Sequence, residues 1–383
     1  MTLAAMAAGA AGVSLFTHAL SASLALRRCA GGAGRRPFAG ATPPISVVQP
    51  HRGVETFSNE TLESIFRLDY PDYEILFCVA AEADPIVPLL RQHIAAFPAR
   101  PARILIGDHA VSGNPKLNNC VKGWKAAAHE WVVLADSNVL MPPDYLTRLL
   151  ARWRDGAGLV CSPPIGARPH GFAAHLECAF LNTYQARWQY AAEAAGFGFA
   201  QGKTMLWRKP LLDQAGGVEA LGAEIAEDAA ATKLVRGAGL SVHLVDRPFP
   251  QPLGRRSLAE VWKRQVRWAR LRRATFAPYF LPELFTTSLV AILCAGLAAP
   301  LLDVSAPSAA LTAAALWYAV EAALASAAGW PLGRWTLPAW IARDILLPLL
   351  WVEGLASDRF EWKGAALSVT DVGLAETHPE PSA

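Results

Sequence analysis

From Thr2 to Leu26 the chain carries no acidic or basic side chain except His18. A run of that length matches the ~20 apolar residues a helix needs to cross a bilayer. A cleaved signal peptide is the competing reading. The opening MTLAAMAAGA lacks a basic leading segment, however, and positive charge follows the apolar run instead of preceding it. A retained signal anchor is therefore expected, with Arg27, Arg28, Arg35 and Arg36 holding its far flank in the cytoplasm. Two more spans are expected near the C-terminus, Thr286 to Leu302 and Ala309 to Ala328, with Pro300 and Asp303 in the short connection between them. Glu321 lies inside the second of these and has to face other helices or the interface, because an intramembrane charge is costly. Leu337 to Leu355 is interrupted by Arg343, Asp344 and Glu353, so it either spans between those charges or lies in the interface. The basic run Lys263 to Arg273 precedes the Thr286 span. The central region is thus positive at both flanks and is expected to face the cytoplasm.

Composition narrows the remaining choices. Of 383 residues 53% are hydrophobic and 17% charged, and most of the charge lies between Arg27 and Arg273, so one oily globular core is excluded. A formal net charge of +3 is too small to argue for nucleic acid. Cys29, Cys78, Cys120, Cys161, Cys178 and Cys294 show no CxxC pair and no metal-finger spacing, which leaves buried reduced thiols.

Between Pro44 and Asp246 short apolar runs alternate with helical patterns. Strands are expected at Ile45–Gln49 (ending in Pro50), Glu74–Val79, Arg103–Ile106 and Trp131–Ala135, and helices at Thr61–Leu68 and Ile86–Phe97. This alternation predicts an open, mostly parallel α/β sheet with helices on both faces. Ligands of such sheets bind beyond the carboxyl ends of the strands. There is no internal repeat, no GxGxxG and no Walker loop, which disfavours dehydrogenases and ATPases.

Functional side chains are therefore sought just past the end of each strand. Asp84 sits in a loop before a helix, where an acid caps a helix as readily as it binds a ligand. Lys116, in Asn114-Pro-Lys-Leu-Asn-Asn119, has a solvated surface lysine as its bland alternative. Asp136 ends a buried strand, where an unpaired carboxylate is costly. A carboxylate with a diphosphate is what Mg²⁺ or Mn²⁺ takes, since hard cations prefer oxygen ligands. Asp228, just before the helical stretch Ala229–Arg236, is either a helix cap or a general base. Ser257 and Glu260 form a capping-box signature, and on the helix they open Arg264, Arg267 and Trp268 share one face. That face either anchors at the interface or turns inward to neutralise a departing diphosphate, while Lys263, Arg270, Arg272 and Arg273 anchor at the membrane. Phe172 to Phe199 is helix-like and aromatic-rich. Phe180, Tyr184, Trp188 and Tyr190 read there mainly as core packing, with a few lining a lipid entrance.

Three separated aspartates followed by Arg264-x-x-Arg267-Trp268 resemble the pattern of the ceramide glucosyltransferases, glycosyltransferase family 21. Pro115-Lys-Leu-Asn-Asn119, Leu212-Asp-Gln-Ala-Gly-Gly217, Ile225-Ala-Glu-Asp228, Arg343-Asp-Ile-Leu-Leu-Pro348 and Trp362-Lys-Gly364 are similar as well. The resemblance implies a GT-A fold over residues 44–250, after an anchor at 1–28. An amphipathic helix at 251–280, a membrane region at 281–355 and a tail at 356–383 would come next. It implies that Pro50, Glu55, Asp84 and Lys116 contact the uridine nucleotide. Asp136 would hold the diphosphate through Mg²⁺ or Mn²⁺, and Asp228 would be the base. Arg264, Arg267 and Trp268, with Gln201 and Gly202, would serve the diphosphate and acceptor. The implied reaction joins UDP-glucose and ceramide into β-glucosylceramide and UDP at the membrane. Two positions depart from the pattern: Asp136-Ser-Asn138 has one acid where many relatives have Asp-x-Asp, and Lys203 bears on acceptor choice. The alternatives are transfer to another lipid, such as a hopanoid-type or lipid-phosphate acceptor, a processive polysaccharide synthase, or an inactive membrane scaffold. Two or three C-terminal spans are too few for a polymer channel, and an intact Asp228 with Arg264-x-x-Arg267-Trp268 counts against a scaffold.

Overall fold

The computed structural model describes residues 3–30, 40–362 and 365–369. Arg35, Arg36, Lys363 and Gly364 lie outside the described residues. In chain order the strands are β1 (Ile45–His51), β2 (Tyr73–Val79), β3 (Ala102–Ile106), β4 (Trp131–Ala135), β5 (Ala157–Cys161), β6 (Ile165–His170), β7 (Thr204–Arg208), β8 (Ser241–Leu244), β9 (Pro250–Arg255), β10 (Arg359–Trp362) and β11 (Ala365–Ser368). Two compact units form, one from residues 3–30, 163–198 and 246–357, the other from 40–162, 199–245 and 358–369.

The second unit is built on a seven-stranded sheet in the order β3-β2-β1-β4-β7-β5-β8. β1 pairs in parallel with β2 and β4, β2 with β3, and β5 with β8, whereas β7 runs antiparallel to both β4 and β5. Every residue of β1 and β2 is buried, as parallel strands covered on both faces require. The four strands expected from apolar runs are present, with ends differing by at most two residues. The two expected helices occur as Ser58–Phe66 and Val87–Ala96.

The helix Pro115–Ala126 lies hard against this sheet. A Cβ on Gly123 would stand 2.4 Å from Val48 Cγ1 and 2.6 Å from Cys78 Sγ, so only glycine permits the approach. Asn119 Nδ2 donates to the carbonyls of His51 (3.2 Å) and Cys78 (2.7 Å), which ties the helix to the carboxyl ends of β1 and β2. Lys116, at the start of that helix, is thereby fixed in position.

The first unit is mainly helical. Leu3–Cys29 and Ala306–Ala327 are each long and apolar enough to cross a membrane, and Ala277–Thr286 with Ser288–Leu301 form a third such stretch bent by 49°. Leu3–Cys29 packs on Ser288–Ala298, Ala306–Ala327 and Arg187–Ala194. Arg28, expected simply as a flanking positive charge, is paired with Glu193 and with Asp246. The stretch that Arg343, Asp344 and Glu353 left ambiguous is one helix, Thr336–Ala356. Its charges are matched internally. Arg343 grips Glu321 with two nitrogens, at 2.8 and 3.0 Å, and also reaches Asp344 and Thr183. Glu321 is fully buried and faces another helix, as its position demanded. Phe172–Cys178, a π-helical turn Ala179–Ala186 and Arg187–Ala194 make up the aromatic-rich stretch. Phe180, Tyr184 and Tyr190 are buried in packing, and β6 pairs in parallel with β9 beside them.

Removing one partner of a buried ion pair leaves an uncompensated charge, which costs roughly 3–5 kcal/mol against about 0–1 for an exposed pair. Glu321→Ala is therefore expected to lower the thermal unfolding midpoint of the detergent-purified protein far more than Glu63→Ala, which breaks the exposed pair with Arg67.

Candidate active site

Asp136 directly follows β4. Because β7 is antiparallel to β4, pairing Ala135 with Thr204, the residue before β7 arrives beside it. The Asp136 N–H donates to the Lys203 carbonyl (3.0 Å), and Lys203 Nζ lies 2.7 Å from Asp136 Oδ2 and 3.1 Å from Asn138 Oδ1. Lys116 comes from the first turn of the helix Pro115–Ala126. Asn114 caps its helix, its side-chain oxygen accepting from the N–H groups of Lys116 (2.9 Å) and Leu117 (3.2 Å). Lys116 Nζ lies 2.6 Å from each of Asp136 Oδ1, Glu227 Oε1 and the Gly202 carbonyl. Glu227 also accepts from Asn114 Nδ2 (2.7 Å). Asp228, its neighbour, accepts from the Gly202 N–H at 3.0 Å. Gly202 has no room for a side chain, since a Cβ would stand 2.5 Å from Glu227 Oε1 and 3.0 Å from Lys116 Nζ.

The charges around this cluster set its chemistry. Burial works against ionising Asp136, but the ammoniums of Lys116 and Lys203 outweigh it and hold the carboxyl well below its usual range. Burial likewise opposes the charge on Lys116, and Asp136 and Glu227 overcome it, so its affinity for the proton rises. Asp228 moves the other way. Burial first and the adjacent Glu227 charge second push it up to about 6, while Lys116 and the N–H groups of Gly202 and Ala229 pull it partly back. A carboxylate that is ionised at neutrality yet holds a proton this readily suits general-base work.

Asp228 was expected just ahead of its helix and instead lies in the first turn of Glu227–Gly237. The capping position is Ala226, so capping is not its task. Asp84 accepts from the N–H groups of Gly53 (3.0 and 3.1 Å) and Ile86 (3.0 Å), joining the loops after β1 and β2. Pro50 is buried near the end of β1, Glu55 is exposed ahead of Ser58–Phe66, and Gln201 is half-buried beside Gly202. Sequence reasoning gave no role to Glu227, Asn114 or Asn138. The signal present was the adjacent acids Glu227-Asp228 and the polar residues flanking Lys116 and Asp136, but only the fold shows Glu227 and Asn114 buried beside Lys116 and Asn138 accepting from Lys203.

In the first unit the helix Leu258–Thr275 starts with the expected capping box. Arg264 is ion-paired with the buried Glu177, which Arg256 also approaches (3.4 Å), and its guanidinium lies 5.4 Å from the Trp268 ring. Trp268 packs against Ala174, Cys178, Leu181 and Leu253. Arg267 is half-buried. Arg270 and Arg272, expected at lipid headgroups, are paired with Glu353 (2.8 Å) and Glu283 (2.5 Å).

The residues at Asp136 do not fit a divalent cation. Both carboxylate oxygens are taken by ammonium groups, the neutral Asn138 stands at the second position of the motif and accepts from Lys203, and no group of three or more His, Cys, Asp or Glu gathers among the described residues.

A mostly parallel sheet with one reversed strand delivering residues to the carboxyl ends defines the GT-A class of glycosyltransferase fold. A mannosyltransferase from Pyrobaculum calidifontis, solved in complex with GDP-Man and Mn²⁺, shares it with a TM-score of 0.55 and 19% identity, covering 93% of this chain and 99% of that one. The chain belongs to glycosyl transferase family 21, whose profile matches residues 6–375. It is 29% identical over 234 residues to ceramide glucosyltransferase 1 of Caenorhabditis elegans, covering 61% of this chain and 50% of that protein. It is 26% identical over 243 residues to ceramide glucosyltransferase 3 of the same organism, covering 63% and 53%. The chain thus spans about half the length of these relatives.

Below its pKa a general base is protonated and idle, so the acid limb of kcat/KM is expected near pH 6 if Asp228 is that base. Glu227→Gln keeps the side-chain shape and one acceptor but removes the neighbouring negative charge, and should move the limb to lower pH. An unmoved limb would separate the two residues. Gly202→Ala is expected to cost about tenfold or more in kcat/KM by displacing Lys116 or Glu227, an effect typical of a misplaced catalytic constellation.

Proposed function

We propose that this chain is an inverting hexosyltransferase that moves glucose from UDP-glucose to the primary hydroxyl of ceramide. The observation that carries this reading is Asp228: a half-buried carboxylate raised to about 6, accepting from the Gly202 N–H, beside a lysine-bridged pair of acids at the carboxyl end of β4. Family membership and the names of the relatives support the acceptor and the sugar.

In this mechanism Asp228 accepts the proton of the acceptor hydroxyl as its oxygen attacks the anomeric carbon. The bond from that carbon to the β-phosphate oxygen breaks, the electron pair leaves with UDP, and the configuration inverts. Lys116 and Lys203 offset the charge developing on the diphosphate. The resemblance assigns Arg264, Arg267 and Trp268 to the diphosphate and acceptor, and Pro50, Glu55 and Asp84 to the nucleotide; these belong to the same proposal. Helices long and apolar enough to cross a bilayer support a membrane-held enzyme using a lipid acceptor. The positive residues after Leu26 and before the Thr286 stretch support a cytoplasmic face for the chemistry.

The test is an assay of purified protein with a panel of UDP-sugars against ceramide, diacylglycerol and hopanoid acceptors, with products identified by mass spectrometry. β-Glucosylceramide is the expected product. Transfer to diacylglycerol or hopanoid alone would overturn the acceptor, and no transfer to any lipid would overturn the reaction. Asp228→Asn is expected to lower turnover by about 10²–10⁴-fold, the usual contribution of a positioned base, while leaving UDP affinity within a few-fold. Full turnover by this variant would remove Asp228 from the role.

A further inference from the structure

We propose that Lys203, held with Lys116 on Asp136, takes the place of a divalent cation, so that this chain binds its donor's diphosphate through ammonium charge and needs no metal ion. This rests on the reading of a nucleotide-diphosphate-sugar donor.

The charge arithmetic is the starting point. One carboxylate holding a divalent cation presents a net single positive charge to a diphosphate. Asp136 with Lys116 and Lys203 reaches the same sum, but Glu227, the second carboxylate on Lys116, offsets one of those charges, so the positive charge offered at Asp136 is that of Lys203. The geometry makes the substitution mutually exclusive with a metal. Each Asp136 oxygen carries one ammonium, at 2.6 and 2.7 Å, so a cation ligated there would have to displace a lysine and then lie next to its like charge.

The surroundings are built for the lysines. Lys116 has three N–H donors, and it has three acceptors at 2.6 Å: Asp136, Glu227 and the Gly202 carbonyl. It therefore fixes Asp136, while Lys203 brings the second ammonium to the other carboxylate oxygen. Asn138 stands where a second acid would strengthen a metal site, and its side-chain oxygen accepts from Lys203 instead. A neutral amide is a good acceptor for an ammonium and a weak substitute for a carboxylate on a hard cation. The backbone of Lys203 is also held within reach of Asp136. The β4–β7 register and the Asp136 N–H to Lys203 carbonyl bond fix its backbone at this point. Gly202 before it clears the space in which Lys116 and Glu227 meet.

The experiment is calorimetric titration of UDP into the purified full chain, in EDTA and in Mn²⁺, with Mn²⁺ binding followed separately by electron paramagnetic resonance. The expected result is the same UDP affinity within about twofold in both conditions, with no stoichiometric Mn²⁺ site. Lys203→Met should weaken UDP in EDTA by about 10–100-fold, the range of a lost hydrogen bond to a charged group, and Mn²⁺ should restore part of it by occupying the freed Asp136 oxygen. Lys203→Arg keeps the charge and should stay within a few-fold of the native protein, which separates lost charge from a damaged fold. A native affinity that falls tenfold or more in EDTA, stoichiometric Mn²⁺ binding with UDP, or unchanged affinity in Lys203→Met would each overturn this proposal while sparing the donor reading. No UDP binding in either condition would overturn both.

Discussion

The ammonium of Lys116 is the contact on which the chemical end of the sheet depends. Once Gly123 lets the helix Pro115–Ala126 settle on β1 and β2, its first turn brings a lysine into a largely buried position. A buried charge is tolerable only with partners. Those partners come from the end of β4, the residue two before β7, and the start of Glu227–Gly237. One side chain therefore joins four segments that are remote in sequence. The same cluster bears on the proton affinity of Asp228, which burial raises first, the adjacent Glu227 raises further, and Lys116 pulls partly back.

The helical unit obeys the same rule with different residues. Basic side chains, among them ones that in sequence look like headgroup or phosphate ligands, meet carboxylates inside the unit. Arg264 meets Glu177, Arg272 meets Glu283, Arg270 meets Glu353, and Arg343 meets Glu321 and Asp344. A basic run is visible at one glance, whereas its counterions are scattered through the chain and approach only on folding. A count of positive residues therefore overstates the positive surface open to a ligand.

Much of the fold was legible because its signals are local. β1 and β2 are continuous apolar runs, Ser257 and Glu260 announce a helix start within four residues, and the stretch from Thr2 to Leu26 has almost no charge. The site was legible only in outline. Asp136 and Asp228 stood out as acids beside a strand or a helix, but Glu227 and Asn114 looked like ordinary neighbours. Lys203 looked like an acceptor-side oddity, because the reversal of β7 that brings it onto Asp136 has no signature in Thr204–Arg208. The direction of a strand depends on the route of the chain around it, not on its own residues.

The sequence by itself determined the class of chain: apolar helices at both ends, an alternating α/β middle, and the carboxylates and lysine at its strand ends. Periodicity and charge spacing are properties of neighbouring residues, so they survive without a fold. Tertiary structure decided which charges meet. It grouped 163–198 with the helices near both ends, turned Glu321, Arg343 and Asp344 toward one another, and put two ammoniums where one acid suggested a metal. Those outcomes depend on distances between residues far apart in the chain, and electrostatic energy depends on distance in space.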